Sequence, residues 1–163
     1  MTNYNFTSFY IPKTIALVGM MGAGKSTIGS RLAKKLGKPF CDSDQAVEKA
    51  AGGYSVSDIY EQWGEKAFKE AENNVISRLL STEPVHVLST GEGAFIDEKT
   101  RTLLQDKTIT VWLKSDVLTL ANRVQRKMRP QLIEGNTEAV LEALVKDRYP
   151  IYGMADICVE SDD

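Results

Sequence analysis

Eight residues near the start of the chain restrict its fold more than any other feature. Residues 19–26 read Gly-Met-Met-Gly-Ala-Gly-Lys-Ser and match the spacing G-x-x-x-x-G-K-[ST]. The apolar run Thr14–Val18 precedes them and predicts a buried strand, because it is too short for a helix. Apolar residues then recur at every fourth position from Ile28 to Leu36, which predicts an amphipathic helix. A strand, a glycine-rich turn and a helix in this order form a phosphate-binding loop, since backbone N–H groups and the helix N-terminus all face the anion.

The residue types in this loop indicate its ligand. Lys25 supplies a cation for the terminal phosphates of a nucleoside triphosphate, and Ser26 supplies a hydroxyl group for Mg²⁺. The residues expected to hold the nucleotide here are Gly22, Ala23, Gly24, Lys25, Ser26 and Thr27. The motif alone does not distinguish a kinase from an ATPase or a GTPase.

The rest of the chain alternates short apolar runs with amphipathic segments. Beyond the first strand and helix, strands are predicted at 39–41, 85–89, 109–113 and 157–159, and helices at about 45–51, 56–63, 65–80, 97–104, 116–127 and from 137 onward. This alternation is typical of an α/β fold with a parallel sheet and helices on both faces. A length of 163 residues is that of a single domain.

Composition and charge exclude several classes of protein. The formal net charge of −2 gives no global basic field for nucleic acid or an acidic membrane. Cys41 and Cys158 form no CxxC pair, and a single histidine, His86, excludes multi-histidine metal chemistry. No apolar stretch approaches the roughly 20 residues of a bilayer span, and the first residues lack the features of a signal peptide. We therefore expect a cytoplasmic protein. His86 lies between Val85 and Val87 in a predicted strand, so we expect it to be a structural histidine.

Five further motifs follow the phosphate loop. They are Asp42-Ser43-Asp44, the segment from Trp63 to Phe68, the turn Gly91-Glu92-Gly93-Ala94, Arg129-Pro130, and the segment from Arg148 to Tyr152. With the loop, they make the chain from about residue 14 onward resemble the shikimate kinase family, which has the nucleoside-monophosphate-kinase-like fold.

The resemblance implies a three-layer P-loop fold whose five parallel strands have the order 2-3-1-4-5. This order places Cys41 and Cys158 on opposite edges of the sheet, too far apart for a disulfide, so two free thiols are expected. It implies one kinase domain over residues 1–163, with a core at about 13–163, acceptor-binding helices at about 45–81 and a mobile lid at about 124–137. The implied reaction is ATP-dependent phosphorylation of the 3-hydroxyl group of shikimate with Mg²⁺, by a monomer that binds neither nucleic acid nor membrane.

The resemblance and the side-chain chemistry assign roles to particular residues. Asp42 is expected near Mg²⁺, whereas Asp44 is expected to bind acceptor hydroxyl groups and to take the proton of the attacking one. Arg148 is expected on the last turn of a helix, pairing with the acceptor carboxylate through its planar fork. Arg129 is expected to reach the transferring phosphoryl group, and Arg123 to stack on adenine. The expected catalytic residues are Lys25, Asp44 and Arg129, and the expected acceptor-binding residues are Asp44, Lys69, Gly91, Glu92, Gly93 and Arg148.

Three positions depart from the pattern of the family. Lys69 replaces an arginine, which keeps the charge but loses the bidentate fork. Glu92 replaces the middle glycine of a Gly-Gly-Gly turn and adds a negative charge near an anionic acceptor. Gln131 replaces a leucine of the lid, and the chain end lacks a segment that commonly helps to hold adenine.

Two interpretations of these departures remain open. In the first, Glu92 points away or pairs with Lys69, and shikimate binds more weakly. In the second, the two residues adapt the site to a less anionic polyol. The alternative functions are a kinase for gluconate or another hydroxy acid or polyol, and a nucleotide-binding protein without transfer activity.

Overall fold

A five-stranded parallel sheet forms the centre of the molecule. The computed structural model describes residues 10–127 and 137–161. The strands are β1 (Thr14–Val18), β2 (Phe40–Asp42), β3 (Val87–Ser89), β4 (Thr108–Lys114) and β5 (Ile157–Glu160). Their order is β2-β3-β1-β4-β5, and every pairing is parallel. The predicted sheet order is therefore confirmed.

Six helices connect and cover these strands within the described residues. They are α1 (Lys25–Leu36), α2 (Ser43–Ala50), α3 (Val56–Thr82), α4 (Glu98–Lys107), α5 (Val117–Lys127) and α6 (Thr137–Tyr152). The predicted helices at 56–63 and 65–80 are the two halves of α3, whose backbone leaves helical geometry at Gly64, where φ is 85°. The helix predicted from residue 45 begins at Ser43 instead, because the Asp42 carboxylate caps its N-terminus. No helix in the described parts of the chain is long and apolar enough to cross a membrane.

The register of the sheet brings three strand ends to one place. Asp42 of β2 lies opposite Ser89 of β3, and Ser89 lies opposite Leu17 of β1. The turns that follow these positions therefore emerge side by side at the carboxyl edge of the sheet, where open α/β sheets bind ligands.

Three residues to which the sequence assigns no catalytic role, His86, Cys41 and Cys158, lie in or next to strands of the sheet. His86 is buried just before β3, and its Nδ1 atom lies 2.8 Å from the Pro84 carbonyl oxygen. Cys41 and Cys158 lie in β2 and β5, the opposite edges of the sheet, and both are free thiols. Burial is the main cause that raises the pKa of the Cys41 thiol.

Candidate active site

The loop between β1 and α1 encloses a small polar cavity of about 70 Å³. Gly24 stands before α1 with φ at 91°, a left-handed conformation that glycine adopts at little cost. The Lys25 ammonium group folds back over the loop and donates hydrogen bonds to the carbonyl oxygens of Gly19 (2.7 Å) and Met20 (2.9 Å). The cavity is lined by Met21, Gly24, Lys25, Ser26, Thr27, Asp42, Asp44, Ser89, Thr90 and Glu92.

One carboxylate connects this loop with the next helix. The Ser26 hydroxyl group donates to Asp42 Oδ2 (2.8 Å), and the hydroxyl oxygens of Ser26 and Ser89 lie 3.2 Å apart. Asp42 Oδ1 accepts the backbone N–H groups of Asp44 (2.9 Å) and Gln45 (3.2 Å). Asp42 is therefore both the N-cap of α2 and the carboxylate beside the predicted magnesium-binding serine.

A larger cavity of about 720 Å³ adjoins the loop. Helices α2, α3 and α6 and the turn after β3 contribute its lining. All six residues predicted to bind the acceptor lie there: Asp44, Lys69, Gly91, Glu92, Gly93 and Arg148. Asp44 and Glu92 line both cavities, so they lie at the junction of the two.

Arg148 supplies a buried donor to the larger cavity. It lies inside α6, which continues to Tyr152, rather than on the last turn as predicted. Its Nη1 atom is buried and has no hydrogen-bond partner among residues 10–127 and 137–161. Leaving a buried charged donor unpaired is costly, so this atom indicates an anionic ligand.

Lys69 and Glu92, the two charged residues that depart from the family pattern, do not form an ion pair with each other. Lys69 forms an ion pair with Glu65, one turn earlier on α3, at 3.1 Å. Glu92 lines both cavities, and its negative charge contributes to the raised pKa values of Tyr60 and Tyr152. The structure therefore does not support a Glu92 side chain that points away or pairs with Lys69.

In the turn after β3, Gly91 lies beside the cavity at a position that has no room for a side chain. The backbone N–H of Gly91 donates to Ser43 Oγ (3.0 Å), which fixes the turn against α2. A Cβ atom on Gly91 would lie 2.5 Å from Glu72 Oε2 and 2.8 Å from Asp44 Oδ1. A Cβ atom on Gly93 would meet nothing within 4 Å.

This contrast predicts different effects for two otherwise identical substitutions. Gly91→Ala should raise the KM for the acceptor by about tenfold or more, because the methyl group displaces two carboxyl groups of the cavity. Gly93→Ala is the matched control for packing, because its methyl group meets no protein atom within 4 Å, so it should change the melting temperature by only about a degree, whereas Gly91→Ala should lower it by several degrees. Steady-state kinetics and thermal melting measure these effects, and equal losses of stability in the two variants would contradict this account of the turn.

Sequence reasoning missed several polar residues of the site. Ser43 lies within the Asp42-Ser43-Asp44 motif, but no role was assigned to it, although it accepts a hydrogen bond from Gly91. Ser89 and Thr90 line the phosphate cavity and belong to no motif that carries a chemical signal. Glu72 was missed although a signal exists: it lies four residues after Phe68, on the apolar face of the predicted helix.

Arg123 and Ser161 form hydrogen bonds with the outer side of the phosphate loop. The Arg123 guanidinium group donates to the carbonyl oxygens of Gly22 (3.2 Å) and Ser161 (3.0 Å). The Ser161 hydroxyl group donates to the Ala23 carbonyl oxygen (3.1 Å). Stacking of Arg123 on adenine stays a prediction. Residues 128–136, which include Arg129, Gln131 and most of the predicted lid, lie outside the described residues.

A phosphate-binding loop, an adjoining cavity and a carboxylate at their junction define a P-loop phosphotransferase with a small-molecule acceptor. A family model described as shikimate kinase matches residues 21–163. The chain therefore belongs to the shikimate kinase family.

Similar proteins agree with this family over most of the chain. A shikimate kinase of Caulobacter vibrioides is 51% identical over 152 residues, which are 93% of this chain and 75% of that protein. A shikimate kinase of Zymomonas mobilis is 48% identical over 149 residues, 91% of this chain and 84% of that protein. The structure of a shikimate kinase from Acinetobacter baumannii in complex with shikimate has a TM-score of 0.88 and 36% identity, and covers 97% of this chain and 88% of that one.

A gluconokinase of Sinorhizobium meliloti is structurally more distant. Its structure matches with a TM-score of 0.56 and 20% identity, over 95% of this chain and 86% of that one. This similarity shows the shared fold alone, and the comparisons do not favour gluconate as the acceptor.

Proposed function

We propose that this kinase transfers the terminal phosphoryl group of ATP to the 3-hydroxyl group of shikimate, across the junction of its two cavities. The observation that carries the proposal is that Asp44 lines both the phosphate loop and the acceptor cavity. A group at that position is within reach of an acceptor hydroxyl group and of the phosphoryl group that the hydroxyl attacks.

In the proposed reaction, the phosphate loop binds ATP and the larger cavity binds shikimate. Backbone N–H groups of the loop and the Lys25 ammonium group bind the phosphates of ATP and balance their charge. Arg148 pairs with the carboxylate of shikimate, and its buried Nη1 atom then gains the partner that it lacks. The acceptor oxygen forms a bond to the terminal phosphorus atom as the bond to the bridging oxygen of ADP breaks, and Asp44 takes the hydroxyl proton.

The chemistry of Ser26 and Asp42 fits a magnesium ion. Both present oxygen atoms, which are the ligands that this hard cation prefers, and the two oxygens lie 2.8 Å apart beside the loop. These residues would hold Mg²⁺, which supplies charge neutralisation for the phosphate groups when it is bound.

Two arginines complete the proposal for the nucleotide. Arg129 approaches the transferring phosphoryl group, and Arg123 contacts adenine from its position beside Gly22. We further propose that the protein is cytoplasmic, and that it acts as a monomer because residues of one chain line both cavities.

Analysis of the product tests the proposed chemistry. The purified protein should convert ATP and shikimate to ADP and a phosphate ester whose phosphorus couples to the proton on carbon 3 in ¹H–³¹P NMR spectra. Chelation of Mg²⁺ should abolish the conversion, and added Mg²⁺ should restore it. A phosphate ester at another hydroxyl group, or full turnover in the chelator, would overturn the corresponding part of the proposal.

A further inference from the structure

The segment from Arg148 to Tyr152 ends in a buried tyrosine to which the proposed reaction assigns no role. Tyr152 lies on α6, one helical turn after Arg148, and its side chain is fully buried. Its ring stacks on Trp112 of β4, with the two ring centroids 5.9 Å apart and the planes inclined by 29°. Tyr149, on the same helix, packs edge-on against the same tryptophan at 4.9 Å. The packing of the Tyr152 ring on the sheet therefore fixes the position of its hydroxyl group.

The hydroxyl group of Tyr152 connects α6 with the turn after β3. It donates a hydrogen bond of 2.7 Å to the backbone carbonyl oxygen of Glu92, which lies 60 residues earlier in the chain. Glu92 is one of the two residues that line both cavities. Burial raises the pKa of Tyr152, and the positive charge of Arg148, together with a side-chain hydrogen bond between the two residues, offsets part of this rise. The Tyr152 hydroxyl group therefore lies between the turn and the arginine that is proposed to bind the acceptor carboxylate.

The preceding residue of the same turn is hydrogen-bonded to the helix that carries Asp44. The backbone N–H of Gly91 donates to the Ser43 hydroxyl group at 3.0 Å, and Ser43 is fully buried at the start of α2, directly before Asp44. The turn is thus joined to α2 through Gly91 and to α6 through Glu92. These two hydrogen bonds relate the position of Asp44, the proposed base, to that of Arg148.

We propose that Tyr152 is a positioning residue for the acceptor. Its hydroxyl group keeps the turn after β3 at a fixed distance from α6, so that an acceptor whose carboxylate pairs with Arg148 has its reacting hydroxyl group beside Asp44. Small errors in the placement of a reacting group are costly, because the rate depends on the distance and the direction of attack. The inference rests on the proposed function, since it requires an acceptor that carries both a carboxylate and a hydroxyl group.

Tyr152→Phe tests the proposal, because it removes one hydroxyl group and keeps the stacked ring. It should raise the KM for shikimate about tenfold and lower kcat about threefold, while the KM for ATP stays within about twofold of wild type.

Tyr149→Phe is the matched control, because it also removes one hydroxyl group from α6, but that group donates to the backbone carbonyl oxygen of Ser115, after β4. It should leave the KM for shikimate within about twofold of wild type. Each variant loses one hydrogen bond and keeps its ring, so both should remain folded, with melting temperatures that are lower by a similar few degrees.

A double-mutant cycle distinguishes a positioning residue from a merely structural one. In Arg148→Ala the acceptor carboxylate is no longer held, so the distance that Tyr152 maintains matters less. Adding Tyr152→Phe to Arg148→Ala should therefore raise the KM for shikimate by less than about threefold. A merely structural tyrosine would produce the same rise in both backgrounds.

Three results would overturn the inference. They are a KM for shikimate in Tyr152→Phe within about twofold of wild type, an equal rise in Tyr149→Phe, and a full tenfold rise on top of Arg148→Ala. Absence of ADP release from the wild-type protein with shikimate would instead refute the proposed function.

Discussion

Lys25→Ala is expected to lower kcat by on the order of 1,000-fold while the protein remains folded. The ammonium group is the cation of the phosphate loop, and its loss removes charge stabilisation that only the reacting phosphates require. The Lys25 ammonium group donates hydrogen bonds to the carbonyl oxygens of Gly19 and Met20. Each such hydrogen bond is worth about 1 kcal/mol, so the substitution should lower the melting temperature by only a few degrees.

A cation at the far end of the same helix provides the control for this prediction. Lys35 is exposed on the last turn of α1, away from the loop. Lys35→Ala should leave kcat and both KM values within about twofold of wild type. Activity of Lys25→Ala within tenfold of wild type would contradict the assignment of the loop.

Arg148→Ala is expected to raise the KM for shikimate by about 100-fold, with little change in the KM for ATP. The buried Nη1 atom of Arg148 faces no partner among the described residues, and removal of a desolvated charge partner typically costs a few kcal/mol. Arg148→Lys should have an intermediate effect, since lysine keeps the charge but cannot form the bidentate pair.

Lys146→Ala is the matched control for Arg148, because Lys146 is an exposed cation two residues away on α6. It should change neither KM by more than about twofold. If Arg148→Ala raises only the KM for ATP, Arg148 acts on the nucleotide and not on the acceptor.

The fold was predictable because local and long-range signals agree. The run Thr14–Val18, the glycine-rich loop and the periodicity from Ile28 onward each fix one element, and the observed strand order matches the one that the resemblance implies. The start of α2 was predicted at residue 45 rather than at Ser43, because the Asp42 side chain has two partners. Asp42 accepts hydrogen bonds from its own helix and from Ser26, and only the second contact concerns ligand binding.

It was also predictable that the acceptor-binding residues line one cavity, whereas the contacts of their side chains with one another were not predictable. The six residues that motif positions identified as acceptor-binding all line the larger cavity. The ion pair of Lys69 with Glu65 depends on the direction of one flexible side chain, which spacing does not determine. The proximity of Gly91 to Glu72 and Asp44 joins residues of three different elements, and no local pattern encodes it.

Acceptor-dependent release of ADP tests the central claim most directly. The purified protein is assayed with ATP and Mg²⁺ in the presence of shikimate, of gluconate or of no acceptor, with ADP measured through a coupled reaction. We expect turnover with shikimate and only background release in the other two reactions. Equal turnover with gluconate, or nucleotide binding without turnover for any acceptor, would contradict the assignment of this chain as a shikimate kinase.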